Sequence, residues 1–275
     1  MIQIQNLQFS YGRNTVLRNI SMSLEDGHIY GLLGENGVGK TTLLTLLAGL
    51  KKPELGTISV EGENPFKRRP SCLQDQYFLP DEVLPLNMSA SAFASAAGKF
   101  WPNFRMETFL TVMNELETDP VQKMNSMSAG QLKKTYVSFA LATGVKHLYM
   151  DEPTNGLDIP SKAQFRKAVT RYTREDAVIV ISTHQVRDLE NLIDPIIILD
   201  RQSVLLNASL ERISEKLYFD YSNTLHPEAL YTEQLPGGFI QVYPNTTGEE
   251  TKVNIEALFN AVRNHKETIK QLYHE

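Results

Sequence analysis

Gly34-Glu35-Asn36-Gly37-Val38-Gly39-Lys40-Thr41 is a complete match to the phosphate-binding pattern G-x-x-x-x-G-K-[ST]. The apolar run Ile29–Leu33 comes directly before it and is typical of a buried strand. The run Thr42–Ala48 follows and predicts a buried helix, with Gly49 and Pro53 near its end. A strand, a glycine turn and a helix are the context that this pattern requires, so the stretch predicts an α/β fold with a phosphate site.

The residues of this loop explain how it would hold a polyphosphate. Glycines let backbone N–H groups curl around the phosphates, and the helix N-terminus adds partial positive charge. Lys40 is expected to reach the β- and γ-phosphates, and the Thr41 hydroxyl is expected to ligate Mg²⁺. The alternative, a glycine-rich turn without a ligand, leaves the flanking strand and helix without an explanation.

Length and composition narrow the class of protein. A chain of 275 residues can bury a full core, as one large domain or as one domain with an appendage. With 27 basic and 32 acidic residues the net charge is −5, which offers no basic field to nucleic acid. Cys72 is the only cysteine, so an intramolecular disulfide is excluded, in keeping with a reducing cytosol.

No segment of the sequence is predicted to enter a membrane. The N-terminus alternates like a strand and lacks the charged and apolar regions of a signal peptide. The longest aliphatic runs, such as Val178–Ile181 and Ile196–Leu199, are far shorter than the roughly 20 residues that span a bilayer. We therefore expect a soluble protein, in which any membrane role comes through a partner.

The pattern of apolar runs predicts an α/β body with an insertion. Continuous runs indicate strands that are covered on both faces in a parallel sheet, and they occur at Ile29–Leu33, Leu148–Met150 and Val178–Ile181. From residue 86 to residue 144 the pattern is mostly helical, without a convincing strand, which predicts an inserted helical subdomain. Residues 1–206 are expected to form the main domain, and residues 207–275 a small C-terminal α+β appendage of unassigned role.

The two ends of the chain carry weaker patterns. Half-buried strands are expected at Ile2–Phe9 and Ile20–Leu24, on either side of a turn. Near the other end, strands are predicted at Leu217–Tyr221 and Phe239–Tyr243. A closing amphipathic helix is predicted at Val253–Tyr273, because apolar residues recur there at helical spacing.

The segment Leu148-Tyr149-Met150-Asp151-Glu152 suggests hydrolysis. An apolar strand that ends in Asp151 places a carboxylate where it can hold the Mg²⁺ shell through water. Glu152 follows and would project toward the γ-phosphate, where it can polarise an attacking water. A strand that simply ends in a polar loop would account for one carboxylate, but not for the block Asp-Glu-Pro-Thr-Asn-Gly-Leu-Asp.

A third element, Met127-Ser128-Ala129-Gly130-Gln131, opens a helix that is predicted to end near Gly144. Locally it is a capping box, with Ser128 at the N-cap and Gln131 three residues later. That interpretation explains the Ser and the Gln, but Gly130 is a poor choice in a first helical turn. Glycine suits a helix N-terminus that must approach a phosphate closely.

Four elements resemble, in their chain order, the ATP-binding cassette (ABC) superfamily. The resemblance extends from about Ile2 to Leu206. The family's usual signature is Leu-Ser-Gly-Gly-Gln; here Met127 replaces Leu and Ala129 replaces the first Gly. The resemblance implies a P-loop NTPase of the ABC ATPase type, with a mixed β core and an inserted α-helical subdomain. The four elements are the phosphate loop, Ser128-Ala129-Gly130-Gln131, Asp151-Glu152-Pro153-Thr154 and Ser182-Thr183-His184.

The resemblance also implies a role for each matching residue. Tyr11 corresponds to the aromatic residue that stacks on adenine, with packing of its ring on the sheet as the alternative. Glu152 is implied as the catalytic base and His184 as the switch residue that contacts the γ-phosphate. Asp158 is implied to lie in the loop that crosses to a second subunit. Contacts to ATP are implied for Gly34, Glu35, Asn36, Gly37, Val38, Gly39, Lys40, Thr41, Thr42, Ser128, Gly130 and Gln131.

The expected Mg²⁺ site consists of Thr41, Asp151 and one position that departs from the family pattern. The family usually has a Gln between the core and the helical subdomain. Aligning Tyr-Phe-Leu-Pro here with the family's Tyr-Leu-Pro-Gln puts Asp81 at that position, and Gln76 is the alternative if the loop is shorter. A carboxylate can still bind Mg²⁺-bound water. A glycine common after the last core strand is also missing, in the segment 201–203.

The resemblance implies an ATPase in which two subunits, most simply a homodimer, meet head to tail around ATP. The leading hypothesis is a cytoplasmic subunit held at the inner face of the membrane by a separate multi-span permease, with export as the direction of transport. The permease would dock on the helical subdomain, where Phe100-Trp101-Pro102-Asn103-Phe104 is a candidate surface; ordinary packing between helices is the alternative. No nucleic-acid partner is expected.

Two other classes compete with this hypothesis. The first is a soluble cassette ATPase that remodels a cytosolic partner, such as an iron–sulfur assembly complex. The second is a nucleotide-binding regulator without turnover, which the intact Asp151-Glu152 pair disfavours. Nothing in the sequence identifies a transported substrate.

Overall fold

A computed structural model of the chain describes residues 1–273 and, within them, three β-sheets. The strands are β1 Ile2–Tyr11, β2 Asn14–Leu24, β3 His28–Leu33, β4 Leu55–Val60, β5 Gln76–Leu79, β6 His147–Asp151, β7 Val178–Thr183, β8 Ile196–Asp200, β9 Ser203–Ala208, β10 Leu217–Ser222, β11 Tyr231–Leu235 and β12 Gly238–Pro244. The helices are α1 Lys40–Leu47, α2 Pro70–Leu73, α3 Ala90–Ala97, α4 Met106–Glu115, α5 Ala129–Ala142, α6 Ile159–Tyr172, α7 Leu210–Lys216, α8 Ile255–Asn264 and α9 Lys266–Tyr273.

The central sheet has the order β5-β6-β7-β3-β8-β9, with five parallel strands and β9 antiparallel to β8. Both of its faces are covered, as the continuous apolar runs predict. Along β7, Val178 and Val180 belong to one buried cluster, while Ile179 and Ile181 belong to the other. Because successive side chains of a strand point to opposite faces, this alternation accounts for the uninterrupted run. The predicted α/β fold with a mixed β core is confirmed.

A smaller antiparallel sheet, of order β2-β1-β4, covers one face of the central sheet. Its strands β1 and β2 form a hairpin whose ends pair at Tyr11 and Asn14. The second strand is longer than the predicted Ile20–Leu24. Leu7 of β1 and Leu44 of α1 lie in the same buried cluster as Val180 of β7, so this sheet and α1 share one core with the central sheet.

Between residues 86 and 144 the structure is helical, as predicted. Helices α3, α4 and α5 enclose a separate cluster around Phe109, Met113 and Phe139, each 1% exposed or less. Helix α5 also reaches the larger core through Val137 and Leu141. The region is thus attached to the central sheet through α5, and its division as a subdomain stays a prediction.

The C-terminal region contains the sheet β10-β12-β11 and the helices α7, α8 and α9. Strands β10 and β12 were expected, whereas β11 has no clear pattern in the sequence. The prediction of one helix over Val253–Tyr273 is wrong, because the chain leaves helical geometry at His265, with φ −127° and ψ 52°. No Gly or Pro marks this break. Leu258 and Ile269, on either side of it, are both fully buried, so packing sets the break rather than local propensity.

This C-terminal region packs directly on the central sheet. Val262 of α8 and Ile269 of α9 belong to the same buried cluster as Ile196 and Ile198 of β8. Burying each such side chain contributes about 1.5–3 kcal/mol to folding. The appendage is therefore part of the continuous core. Separately, no helix among residues 1–273 has the length and apolar character needed to cross a membrane.

Candidate nucleotide-binding site

Three parallel strands bring the motif residues to one edge of the central sheet. Strands β6, β7 and β3 are neighbours, and their carboxyl ends lie side by side. The phosphate loop follows β3, Asp151 ends β6, and His184 follows β7. Sites in parallel α/β sheets form at these strand ends, where the loops converge. Residues that are more than 100 positions apart in the chain therefore face one another.

Two glycines of the phosphate loop have no room for a side chain. A Cβ on Gly34 would lie 2.6 Å from the Leu199 carbonyl oxygen. Gly39 has φ +110°, in the left-handed region, and a Cβ there would lie 2.8 Å from Val16 Cγ1. Only glycine fits both positions without a shift, and Gly39 forms the N-cap of α1.

Lys40 points back into the loop that precedes it. Its Nζ donates to the carbonyl oxygens of Gly34, at 2.8 Å, and Glu35, at 3.2 Å. The residue is 6% exposed, and Nζ lies 3.6 Å from Glu152 Oε1. A buried ammonium requires such acceptors, and they hold the positive charge inside the phosphate loop.

Thr41 and Asp151 form a pair of oxygen donors at the base of the site. The Thr41 hydroxyl donates to Asp151 Oδ2 at 2.6 Å, and the Ser182 hydroxyl donates to the other carboxylate oxygen. Asp151 is only 3% exposed. Hard oxygen donors are the ligands that Mg²⁺ prefers, so these two residues fit the predicted metal site. Ser182 was not predicted to support Asp151.

Glu152 lies between Lys40 and His184. Its Oε1 is 2.9 Å from His184 Nδ1, in addition to its contact with Lys40. Its backbone has φ +44°, which is uncommon for a residue other than glycine. The backbone N–H donates to Ser182, at 3.2 Å to the carbonyl oxygen and 3.1 Å to the hydroxyl, and thereby supports this conformation. The residue is 9% exposed, and its carboxylate contacts Lys40 and His184.

A cavity of about 610 Å³, which we name the loop cavity, opens beside the phosphate loop. Tyr11 borders it with a side chain that is 48% exposed, and its hydroxyl lies 3.3 Å from Thr42 Oγ1. The ring also contacts Phe9 edge-on, at 5.0 Å between centroids, so it packs on the sheet and faces the cavity. The lining is Tyr11, Asn14, Val16, Asn36, Gly37, Gly39, Lys40, Thr41, Thr42, Phe78, Pro80, Asp81, Glu82, Asp151 and Glu152.

The two candidates for the third magnesium position lie in different places. Asp81 lines the loop cavity. Gln76 is the first residue of β5, lies away from this cavity and donates through Nε2 to the Ala48 carbonyl. Of the two residues, only Asp81 thus lies at the loop cavity, and its role at a metal stays a prediction. Asp81 in turn is held by Lys133 of α5, at 3.2 Å, and by Asn155 Nδ2, at 3.3 Å.

The Ser128 element does not line the loop cavity of its own chain. Ser128 caps α5: its hydroxyl accepts from the Gln131 N–H at 3.2 Å, and Gln131 Oε1 accepts from the Ser128 N–H at 2.9 Å. The predicted capping box is thus present. A Cβ on Gly130 would lie 3.3 Å from the Gly156 carbonyl, so the helix start faces the loop that leads to Asp158. A role of this element in contacting ATP stays a prediction.

Asp158 is the N-cap of α6, with Oδ1 accepting from the Ser161 N–H at 2.9 Å. Hydrogen bonds from Ser161 hold the pKa of this carboxyl below its usual value, so Asp158 is charged at neutral pH. Two further residues pair with residues of the site and have no motif to mark them. They are Lys133, which pairs with Asp81, and Arg263 of α8, which pairs with Glu35. Both come from segments remote in sequence, so only folding reveals them.

The protein-family model described as "ABC transporter" matches residues 17–155. The lantibiotic transport ATP-binding protein SrtF of Streptococcus pyogenes is 31% identical over 196 residues, which are 70% of this chain and 84% of that protein. The linearmycin resistance ATP-binding protein LnrL of Bacillus subtilis is 28% identical, over 74% of this chain and 68% of its own length.

A solved structure has the same fold. It is described as the dimeric structure of a post-hydrolysis state of an ATP-binding cassette bound to ADP and Pi. The TM-score is 0.68 at 20% identity, over 76% of this chain and 99% of that one. At this identity the likeness shows the fold of an ATP-binding cassette.

Fold and motifs together define a P-loop ATPase. The chain belongs to the ABC transporter family, whose members bind and hydrolyse ATP.

Proposed function

We propose that this chain is the cytoplasmic ATPase subunit of an exporter: it dimerises around ATP and drives a separate membrane permease. The observation that carries the proposal is the position of Glu152 between Lys40 and His184, while Ser128 lies outside the same cavity. One chain thus offers a catalytic half-site and a separate capping helix. Two copies arranged head to tail would supply both halves to each ATP.

Each residue of the site has a proposed role in ATP hydrolysis. Lys40 is placed to neutralise the β- and γ-phosphates, and Glu152 to accept a proton from the attacking water. His184, at 2.9 Å from Glu152, orients that carboxylate and can contact the γ-phosphate. Thr41 and Asp151 would hold Mg²⁺, which neutralises phosphate charge when it is bound. Asp81 is proposed as a further support of the metal's water shell.

ATP hydrolysis is then coupled to opening of the dimer. While ATP is intact, its phosphates are contacted by the loop of one copy and by the Ser128 element of the other. Cleavage divides those contacts between two products, which removes the differential affinity that favours the closed dimer. Opening and closing of the dimer would thereby follow the state of the nucleotide.

An apolar groove beside β5, the edge strand of the central sheet, supports docking of a permease. Its volume is about 490 Å³, and Phe100 and Leu50 on its rim are 71% and 52% exposed. Trp101 is packed rather than free, since its Nε1 donates to the Gln76 carbonyl at 3.0 Å. We propose that an apolar segment from a permease's cytoplasmic side fills this groove. The lining is Ala48, Leu50, Arg68, Pro70, Leu73, Gln74, Gln76, Tyr77, Phe78, Phe100 and Trp101.

The names of the relatives support transport, and one supports export. SrtF is described by lantibiotic transport and LnrL by linearmycin resistance. Resistance to a compound is consistent with its removal from the cell. These names disfavour the alternative of a soluble cassette that acts on a cytosolic partner such as an iron–sulfur assembly complex.

The test starts from the genes that neighbour the one for this chain: a multi-span membrane protein found there is reconstituted with the chain. The two proteins are expected to copurify and, in vesicles, to move substrate out of the compartment that holds the ATPase only when ATP is supplied. Glu152→Gln serves as the matched control, because it should keep the complex but stop transport. If the chain shows no association with that protein and the same turnover in its presence, the transport assignment is wrong.

A further inference from the structure

Helix α8 of the C-terminal region reaches the phosphate loop. Arg263 Nη2 lies 2.7 Å from Glu35 Oε1, and Glu35 is the second residue of the loop. The two side chains are 36% and 50% exposed. The contact joins residues 228 positions apart, and it links the C-terminal region to the part of the chain that would hold phosphate.

Arg263 is itself held in place by α8. Its guanidinium carbon lies 5.6 Å from the centroid of the Phe259 ring, one turn earlier on the helix. Both residues line a cavity of about 450 Å³ together with Asn36, Thr183 and His184. Helix α8 therefore stands beside the phosphate loop and the switch histidine at once.

The charge of Glu35 makes this contact relevant to binding. A polyphosphate is strongly anionic, and a carboxylate within its binding loop opposes it. The backbone carbonyls of Gly34 and Glu35 are engaged by Lys40 from within the loop. Arg263 approaches the same segment from outside and compensates the carboxylate.

We propose that Arg263 is a positioning residue of the phosphate loop: it neutralises Glu35, and so the C-terminal region sets the affinity of the loop for nucleotide. The inference rests on the proposed function only in that the loop binds ATP. It assigns a role to the region after residue 206, in which we identified no motif. The effect acts through the loop and requires no contact between Arg263 and the nucleotide.

The experiment measures the dissociation constant for ATP, together with kcat and KM, in the full-length chain carrying Arg263→Lys, Arg263→Gln or Arg263→Glu. An exposed ion pair contributes about 0.2–1 kcal/mol, so Arg263→Gln should weaken ATP binding about 1.5- to 5-fold. Arg263→Glu places a second carboxylate at the loop and should weaken ATP binding more than Arg263→Gln does. Arg263→Lys keeps the positive charge and should bind ATP nearly as tightly as the wild type. The change should appear in KM more than in kcat and should shrink at high salt.

Arg187→Gln is the matched control, since Arg187 pairs with Glu256 of the same helix at 2.7 Å but does not contact the loop. This variant should bind ATP like the wild type. In a Glu35→Gln background the loss caused by Arg263→Gln should become smaller, which a general weakening of α8 would not produce. ATP binding by Arg263→Glu at wild-type strength would overturn the inference and leave the proposed function intact. A wild-type chain that does not bind ATP would overturn both.

Discussion

The loop cavity and the apolar groove meet at Phe78 of β5, which lines both, yet they are built from opposite chemistry. The loop cavity contains buried charges, including Lys40, Asp151 and Glu152, each 9% exposed or less. The groove is bordered by apolar side chains that remain in solvent, such as Phe100 and Leu50. Clusters of buried charge are typical of reaction sites, whereas exposed apolar patches are typical of interfaces. The contrast predicts that turnover and docking can be separated by mutation.

The largest effect is expected in the loop cavity, from Glu152→Gln. Loss of a general base lowers turnover about 10²- to 10⁴-fold, while the amide keeps the shape of the side chain. ATP binding and association with the permease should persist, giving a long-lived ATP-bound dimer. Single-turnover hydrolysis and size-exclusion chromatography with ATP measure the two properties. Hydrolysis at the wild-type rate would mean that Glu152 is not the base.

The converse effect is expected in the groove, from Phe100→Ala. Removing an aromatic anchor from an interface is expected to cost about 1.4 kcal/mol, so affinity for the proposed permease should fall about tenfold. Basal turnover should not change, because Phe100 does not line the loop cavity. Titration of the permease against ATPase activity measures both. Leu110→Ala is a control, since Leu110 is an exposed apolar residue, 40% exposed, outside the groove.

Mixing two inactive variants tests whether the loop cavity of one copy is completed by the Ser128 element of the other. The activity expected is about one quarter of the wild-type activity. Lys40→Ala and Ser128→Asn should each lose nearly all turnover, and Asn preserves the helix cap. In an equal mixture about half of the dimers are mixed and carry one intact site, so about a quarter of the wild-type activity should return. Crosslinking confirms that mixed dimers form. Their complete inactivity would argue against a shared site.

The smallest change in turnover is expected for Asp81→Asn. Asp81 lies in the segment that joins β5 to α3. Asp81 is paired with Lys133, and loss of an ion pair that is partly exposed should lower kcat about threefold. If Asp81 supports Mg²⁺, the variant also needs more magnesium for half-maximal turnover. Gln76→Met, which keeps the size of this buried side chain, serves for comparison and should leave the magnesium requirement unchanged, because Gln76 faces Ala48 rather than the loop cavity.

Local patterns predicted the parts of the site that neighbouring residues determine. The phosphate loop lies between β3 and α1 as expected, because strand, glycines and helix are contiguous. The capping box at Ser128 is also present, since it needs only Gln131 three residues later. The buried runs of β6 and β7 were read correctly because a two-sided sheet leaves no polar alternation.

Local patterns did not predict the features that depend on contacts between residues remote in sequence. Lys133 and Arg263 reach the site from α5 and α8, and nothing near them in sequence marks their partners. The placement of Asp81 and Gln76 depends on the length of a loop, and the sequence does not show that Gln76 begins β5. The break at His265 reflects the packing of α8 and α9 on the sheet rather than any helix-breaking residue.

Lys40 shows how the loop prepares for its ligand. The carbonyls that hold its ammonium belong to the chain itself, so the position of this charge does not depend on a phosphate. Fixing a lysine side chain costs up to about 2 kcal/mol of rotamer entropy, and here folding has already met that cost. The lysine side chain is therefore preorganised for a triphosphate, and less of the binding free energy is lost in ordering the protein.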